Sequence, residues 1–366
     1  MELGSELRFH DATLQMPRER IMATERWGFD ALFGAGEGVG PDALTPIAYA
    51  AAFTTRLKLG TRVAKVIGRS ATTTAMTYQT IDQLAGGNRV MIGIGSSDRR
   101  YAEGWFDEPW GNPVARMRDY ITVIRKVNSG EPVEHRGPTI NLPTIGGSPE
   151  VMSTRLQVNP NIPILIAAHG PQMVQVAAEL ADGWFPPGFR PGMLEHFRPL
   201  LEAGFQRAGG GKGFGNFKIW GHVDMNVDDD VRRAMAPFKS YVCNYPEYQI
   251  KLMTDAGFGT EAENLRDALD ARFGAGWSSK FHRPEEAPAF DDPLLDLVPD
   301  DYIDTGWLCG PVSRFPRLLE PWLDSGLTGL IVRYGAQVGH PAGESHYEHL
   351  DAFRAVAKAL DKPGSD

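Results

Sequence analysis

Leu57–Ser97 reads LKLGTRVAKVIGRSATTTAMTYQTIDQLAGGNRVMIGIGSS, and this stretch decides the fold class. Two runs rich in Val, Ile and Leu, Leu57–Ile67 and Val90–Ile94, flank the helical segment Ser70–Leu84. Short apolar runs bordered by glycine are the pattern of buried parallel strands, and parallel strands need a crossover helix between them. Ser70 can cap that helix. Met76, Thr80, Ile81 and Leu84 fall near one face of it. Gly86-Gly87 ends it, as glycine past a helix commonly does. The second run closes in Gly93-Ile94-Gly95-Ser96-Ser97. A small, hydroxyl-bearing strand end lets backbone N–H groups approach a ligand closely.

The same alternation extends outward in both directions. Glu2–Phe9 is a weak, polar first strand, followed by a helix from Pro17 to Trp27 that stops at Gly28. Phe29–Phe33 is the second strand and opens into Gly34-Ala35-Gly36-Glu37-Gly38. Thr45-Pro46 precedes the helix Ile47–Thr54, with proline in the first turn. After the opening stretch comes a loop, Asp98–Gly111, with Trp105, Phe106 and Trp110. Asn112-Pro113 then starts a helix that Gly130 closes. Residues 131–161 read as loop with short hairpin pieces. Pro163–Ala168 is a buried strand ending in His169-Gly170-Pro171, and Asp182–Phe185 starts another. Phe217–Val227 is a strand, and Asp228 caps the helix after it. Residues 241–310 hold helical pieces and the Pro-rich, polar run GAGWSSKFHRPEEAPAFDDP. They read as an insertion over a barrel mouth, between the seventh and eighth strands. Pro311 starts a further helix, Leu327–Tyr334 is the last strand, and a final amphipathic helix carries Leu350, Phe353, Ala357 and Leu360.

About eight βα units over one chain imply a (β/α)8 TIM barrel as a single domain, 1–366, with the 241–310 insertion. A doubly wound sheet is disfavoured because no early strand runs into G-x-G-x-x-G; Gly34–Gly38 is only a partial match. The chain has 366 residues, 42% of them apolar, enough for a sizeable core. Its net charge of −9 and the lack of a basic run argue against a nucleic-acid partner. No apolar run is long enough to span a membrane, and the N-terminus lacks a signal-peptide core. Cys243 and Cys309 are too few for a disulfide scaffold and lack metal-ligand spacing. These features lead to the expectation of a cytoplasmic protein without a metal.

LGTRV, then TAMTYQTIDQLAGGNRVMIGIGSS, then AEGW, resembles the bacterial luciferase-like superfamily, and within it the branch that uses the deazaflavin coenzyme F420. PILIAAHGP and AAELADGWF resemble the same superfamily. The chain departs from the pattern in Ala85, in Asn88 before Arg89, and in Ser97-Asp98. The resemblance implies an F420-dependent oxidoreductase that moves a hydride between the deazaflavin and a small organic substrate. An FMN-dependent monooxygenase of the same superfamily and a non-catalytic flavin-binding protein are the alternatives. The resemblance also implies a homodimer.

In a barrel of this kind, function gathers at the C-terminal strand ends. That singles out Glu37, Arg62–Ala64, Ser96–Asp98, His169–Pro171 and Trp184. Glu37 stands where superfamily members carry an acid followed by histidine, but Gly38 follows here. Glu37 is either an acid/base or an ordering group for its loop. The resemblance places a cis peptide between Arg62 and Val63, backing the cofactor ring, with Ala64 beside it and Arg62 at the ring's polar edge. Ser96, Ser97 and Asp98, and His169, Gly170 and Pro171, are expected around the ring, ribityl chain and phosphate. The last three open a helix whose dipole favours an anion. His169 is a catalytic candidate or a core histidine bonded to backbone. Trp105, Trp184 and Tyr245 are expected to line the substrate pocket.

Overall fold

The computed structural model describes residues 1–9, 14–35, 39–280, 286, 288–334 and 349–365. Its strands are β1 (Glu2–Leu7), β2 (Ala31–Gly34), β3 (Lys58–Thr61), β4 (Ala64–Lys65), β5 (Val90–Gly95), β6 (His135–Arg136), β7 (Asn141–Leu142), β8 (Ile164–Ala167), β9 (Gly183–Phe185), β10 (Lys218–Asn226), β11 (Trp307–Cys309) and β12 (Gly329–Tyr334). Chain contacts divide it into two compact units, 1–222 with 326–331, and 223–325 with 332–366.

Eight parallel strands form a closed ring in the order β1-β2-β3-β5-β8-β9-β10-β12. Lys218 lies beside Gly183, which joins β10 to β9. Thr328 N–H donates to Ile219 O at 2.9 Å, and Glu2 N–H donates to Thr328 O at 2.8 Å, which returns the ring to β1. This is the TIM barrel read from the alternation of strands and helices. β1, polar in sequence, is buried over most of its length.

The barrel is filled by a layer of aromatic rings. Phe33 meets Phe185 edge-on at 5.6 Å and Trp220 at 5.2 Å. Glycine faces these rings from neighbouring strands. A Cβ at Gly329 would stand 2.4 Å from the Trp220 ring, and one at Gly60 would stand 3.1 Å from Phe33. Large side chains opposite none at all keep the interior close-packed.

The opening stretch forms as its spacing implies, with two differences. Ser70 Oγ accepts from Thr73 N–H at 3.1 Å and caps the helix Ala71–Leu84. That helix buries Ala71, Thr74, Ala75, Tyr78 and Ile81. Met76 and Leu84, expected on the packed face, are 40% and 68% exposed. The buried face is built of small and hydroxyl-bearing residues around Tyr78, and Met76 and Leu84 lie on the other side of the helix. The second difference is that the Leu57–Ile67 run is two strands, β3 and β4, broken by a cis peptide at Arg62–Val63.

The segment Asp82–Arg89 after that helix is a clamp. Asp82 accepts from Asn88 N–H at 3.1 Å, Arg89 N–H at 2.9 Å and Val90 N–H at 3.2 Å. Arg89 donates to Leu57 O at 3.0 Å and to Thr54 Oγ1 at 2.7 Å. One carboxylate and one guanidinium therefore tie the helix exit to two strand starts, which accounts for this motif as structure.

The helical pieces expected in 241–310 belong to the second unit, where helices pack around their own core. Helices Val231–Asn244, Pro246–Asp255 and Gly259–Phe273 bury Met235, Phe238, Val242, Met253, Leu265 and Leu269 together. Asp230, not Asp228, caps the first of these, accepting from Arg232 N–H at 2.9 Å. In chain order the segment lies between the seventh and eighth barrel strands, as expected. Residues 281–285 and 287 of its Pro-rich run lie outside the described residues.

Candidate active site

Side chains alternate along a strand, so residues two apart share a face. Gly4, Gly60 and Trp220 stand at the aromatic layer, and two residues further along the same strands come Glu6, Arg62 and His222. These three meet. Arg62 Nη1 donates to Glu6 Oε2 at 2.8 Å, and Arg62 Nη2 lies 2.7 Å from His222 Nδ1. The Glu6 side chain is 2% exposed and the Arg62 side chain 13%. Arg8 Nε stands 3.9 Å from the other Glu6 oxygen. A guanidinium only donates, so His222 Nδ1 must accept and its proton is assigned to Nε2. Glu6 and His222 were not singled out in the sequence. The available signal was an ionisable residue at an inward position in a barrel strand.

The cis peptide lies in this same segment. Thr61 Oγ1 donates to Gly93 O at 2.6 Å, pairs with the Tyr78 hydroxyl, and accepts from Ala64 N–H at 3.3 Å. Burial pushes the Tyr78 phenol well above its usual range, so it stays neutral in this contact. The neighbouring strand must give way to the bulge. A Cβ at Gly93 would stand 1.7 Å from Thr61 O, and one at Gly95 would stand 2.7 Å from Val63 Cγ2. The glycines of the GIGSS run thus make room for the adjoining strand. The expectation that they open backbone to a ligand is corrected for these two positions.

Beyond Gly95, Ser96 and Ser97 are partly buried. Ser97 takes a left-handed φ of 66°. Its hydroxyl is buried with no hydrogen-bond partner among the described residues. Asp98 is a helix cap. It accepts from Arg100 N–H at 2.8 Å and Tyr101 N–H at 3.2 Å, and its second oxygen meets Arg100 Nη2 at 3.2 Å. Burial alone would raise its pKa, but the Arg100 side chain and these N–H donors hold it below the usual carboxylate range. Its oxygens are engaged locally.

At the end of β8, His169 and Gly170 are exposed and Pro171 begins the helix Pro171–Leu180. No side chain caps that helix. A Cβ at Gly170 would meet nothing within 4 Å.

Trp105 is 62% exposed and, with Phe106, walls a cavity of about 250 Å3 that also touches Ala64 and Lys65. Trp184 is fully buried: its Nε1–H donates to Ala168 O at 2.8 Å and its ring packs on Phe197 at 5.0 Å. It presents no surface to a substrate here, so its place is core packing, in contrast to the pocket-lining role read from sequence. Tyr245 belongs to the second unit, where its ring lies 5.0 Å from Tyr241. That unit also holds a buried ion pair at the strand ends, Arg333 Nη2 to Asp224 Oδ2 at 2.6 Å. Glu37 lies outside the described residues. Among the described residues no cluster of His, Cys, Asp or Glu could hold a metal, and no helix is long and apolar enough to cross a membrane.

Comparison with known proteins places this arrangement. A protein of Mycobacterium tuberculosis named for a coenzyme F420-dependent oxidoreductase activity is 31% identical, over 92% of this chain and 96% of its own. The 5,10-methylenetetrahydromethanopterin reductase of Archaeoglobus fulgidus is 29% identical over 69% of this chain and 73% of its own. In fold, the chain is similar to the coenzyme F420 dependent tetrahydromethanopterin reductase from Methanopyrus kandleri, with a TM-score of 0.69 at 21% identity, over 98% and 97% of the two chains. Residues 4–314 match the model of the luciferase-like monooxygenase family. With its parallel barrel and a match over most of its length, the chain belongs to that family.

Proposed function

We propose that this protein is an F420-dependent oxidoreductase that transfers a hydride between the deazaflavin and a small organic substrate. The observation that carries the reading is the Arg62 guanidinium held between Glu6 and His222 at the C-terminal strand ends, beside the close approach of Thr61 and Val63 to Gly93 and Gly95. The residues present fit the cofactor. A fixed guanidinium stands at the bulge, the Ser97 hydroxyl has no partner among the described residues, and no described atom lies within 4 Å of where a Gly170 Cβ would stand.

Bound there, the deazaflavin would supply a hydride-carrying carbon where a flavin has N5, and it would not activate oxygen. The protein's part is placement and charge. Arg62 brings a positive charge that two partners hold in one orientation, which suits it to offset negative charge on the ring's polar edge. His222 holds its proton at Nε2 and cannot take one at Nδ1 without losing the Arg62 contact. The N–H groups at the start of helix Pro171–Leu180 face an anion favourably. Trp105 and Phe106 wall the cavity beside Ala64 and Lys65, on the side assigned to the substrate. Glu37 and His169 are the groups proposed for proton transfer.

The test is a titration of the purified protein with F420 and with FMN, followed by absorbance and fluorescence. Saturable F420 binding and reduction of F420 by a substrate without oxygen uptake are expected. Tight FMN binding with oxygen-dependent turnover would overturn the reading in favour of the monooxygenase.

The proposal extends to a homodimer through the exposed face of helix Ala71–Leu84. Met76 and Leu84 there line a groove of about 460 Å3 with Leu44 and Ala48 of the helix Leu44–Ala51. Burying one Leu is worth about 1.5–3 kcal/mol. Leu84→Glu should therefore shift light scattering from dimer to monomer, and a monomeric parent protein would refute the assignment.

A further inference from the structure

His222 stands one step beyond the aromatic layer on β10. Trp220, two residues earlier, packs at 5.2 Å on Phe33, so His222 shares its inward face. Gly221 between them faces the other way, where a Cβ would stand 2.5 Å from the Leu327 side chain. The Arg62 fork divides its two ends between Glu6 at 2.8 Å and His222 Nδ1 at 2.7 Å. A guanidinium offers only N–H donors, so the ring nitrogen facing it must accept. Protonation at Nδ1 would set an N–H against an N–H and one cation against another at hydrogen-bond distance. His222 is therefore held neutral, with its one proton on Nε2. The two nitrogens lie on diverging edges of the imidazole, so Nε2–H points away from Arg62. The imidazole is partly exposed, whereas the Glu6 and Arg62 side chains are 2% and 13% exposed. The layer therefore offers one charged fork and, beside it, one neutral N–H donor.

A neutral imidazole is a poor acid, since giving up Nε2–H would leave an imidazolate. It can still donate a hydrogen bond to an oxygen that gains negative charge, and a donor already in place costs no rearrangement at that moment. Negative charge collects at the carbonyl-bearing edge of a deazaflavin ring when a hydride enters it. We propose that His222 is a catalytic hydrogen-bond donor to that edge, giving Nε2–H to a ring oxygen and favouring the reduced cofactor. This assignment rests on the F420 reading above. No proton changes hands at His222: the hydride passes between substrate carbon and ring carbon, and the hydrogen bond strengthens as charge grows. Arg62 keeps the imidazole in the donating tautomer.

The experiment compares His222→Asn and His222→Gln with the parent protein, and F420 itself is the probe. Asn sets an amide oxygen where Nδ1 stood, which keeps an acceptor for Arg62 and removes the distal donor. Gln reaches the Nε2 position with an amide N–H and withdraws the acceptor from Arg62. The measurements are the Kd of oxidised and of reduced F420 by equilibrium dialysis, the potential of the bound cofactor, and the melting temperature. His222→Asn should weaken the reduced form about tenfold relative to the oxidised form, which lowers the bound potential by about 30 mV. Its melting temperature should hold within a degree or two. His222→Gln should keep the ratio of the two affinities within about threefold of the parent and lose more melting temperature. An unchanged ratio in His222→Asn, or equal weakening of both forms, would overturn the donor role. A larger shift in His222→Gln than in His222→Asn would overturn it too, leaving His222 as a holder of Arg62. In each of these cases the parent still binds F420 and that reading stands. A parent protein that binds FMN and no deazaflavin would remove the F420 reading and the donor role together.

Discussion

Arg62→Met tests the polar layer above the aromatic rings. The substitution keeps length and apolar volume but removes the donors to Glu6 and His222. The Glu6 carboxylate, 2% exposed, would lose its 2.8 Å partner, with Arg8 still standing 3.9 Å away. Breaking one side of a buried ion pair costs about 3–5 kcal/mol. Arg8 remains to offset part of that, so the low end, about 3 kcal/mol, applies. With a urea slope of about 3 kcal/mol per M, the midpoint should fall by about 1 M. Glu6→Gln removes the stranded charge, so the double variant Arg62→Met with Glu6→Gln should recover at least half of the loss. The assay is urea unfolding at pH 7 of the parent, both single variants and the double. Two probes, tryptophan fluorescence and far-ultraviolet circular dichroism, guard against an intermediate in a chain with two compact units. If Arg62→Met unfolds within about 0.5 kcal/mol of the parent, or the double variant is simply the sum of the singles, the three groups are not an energetic unit. Cofactor affinity should fall in both variants that lack Arg62, because Glu6→Gln restores stability and not the cation.

Three more outcomes follow from the geometry. Gly93→Ala puts a methyl group 1.7 Å from Thr61 O, so the bulge must move; a loss of about 3 kcal/mol with weakened cofactor binding is expected, while Gly104→Ala, whose Cβ meets nothing within 4 Å, should change neither. Gly170→Val sits at φ −73°, ψ 150° with open space around it, so the melting temperature should hold within a degree or two. Its cofactor Kd should rise about tenfold, and parent-like binding would move the phosphate elsewhere. Asp119 holds the β6–β7 hairpin by accepting from Thr139 N–H at 2.7 Å, Thr139 Oγ1 at 2.6 Å and Ile140 N–H at 3.0 Å. Burial pushes its pKa up, yet Thr139, His135 and Ile140 together depress it. A depressed acid stabilises the fold above its unfolded pKa, about 3.9, and that contribution is lost as pH falls through the folded value. The hydrogen-exchange protection of residues 135–142, corrected for the intrinsic rate at each pH, should therefore fall on acidification below about pH 4 in the parent. Asp119→Asn should show the faster exchange already at pH 7, and equal exchange in both would refute the anchor.

The amino-acid sequence determined the barrel, because each βα unit carries its own local signals: apolar runs of strand length, Ser70 and Asn112 as caps, Gly86 and Gly130 as stops. Such signals act within a few residues and need no tertiary partner. The resemblance placed the break in the third strand at Arg62–Val63, where the structure has a cis bond. Other features were decided only by the tertiary structure. Glu6 and His222 are 216 residues apart in number, and they meet on Arg62 because the ring closes β10 and β1 on either side of β12. The apolar positions Met76 and Leu84 share one side of their helix, but the side that turns to the barrel is the one carrying Ala71, Ala75 and Tyr78. Gly93 and Gly95 carried the mark of a ligand-facing loop, yet their missing side chains accommodate the neighbouring strand. A strand's period tells which residues share a face. Which of its two faces turns inward, and what stands opposite, depends on strands that arrive later in the chain.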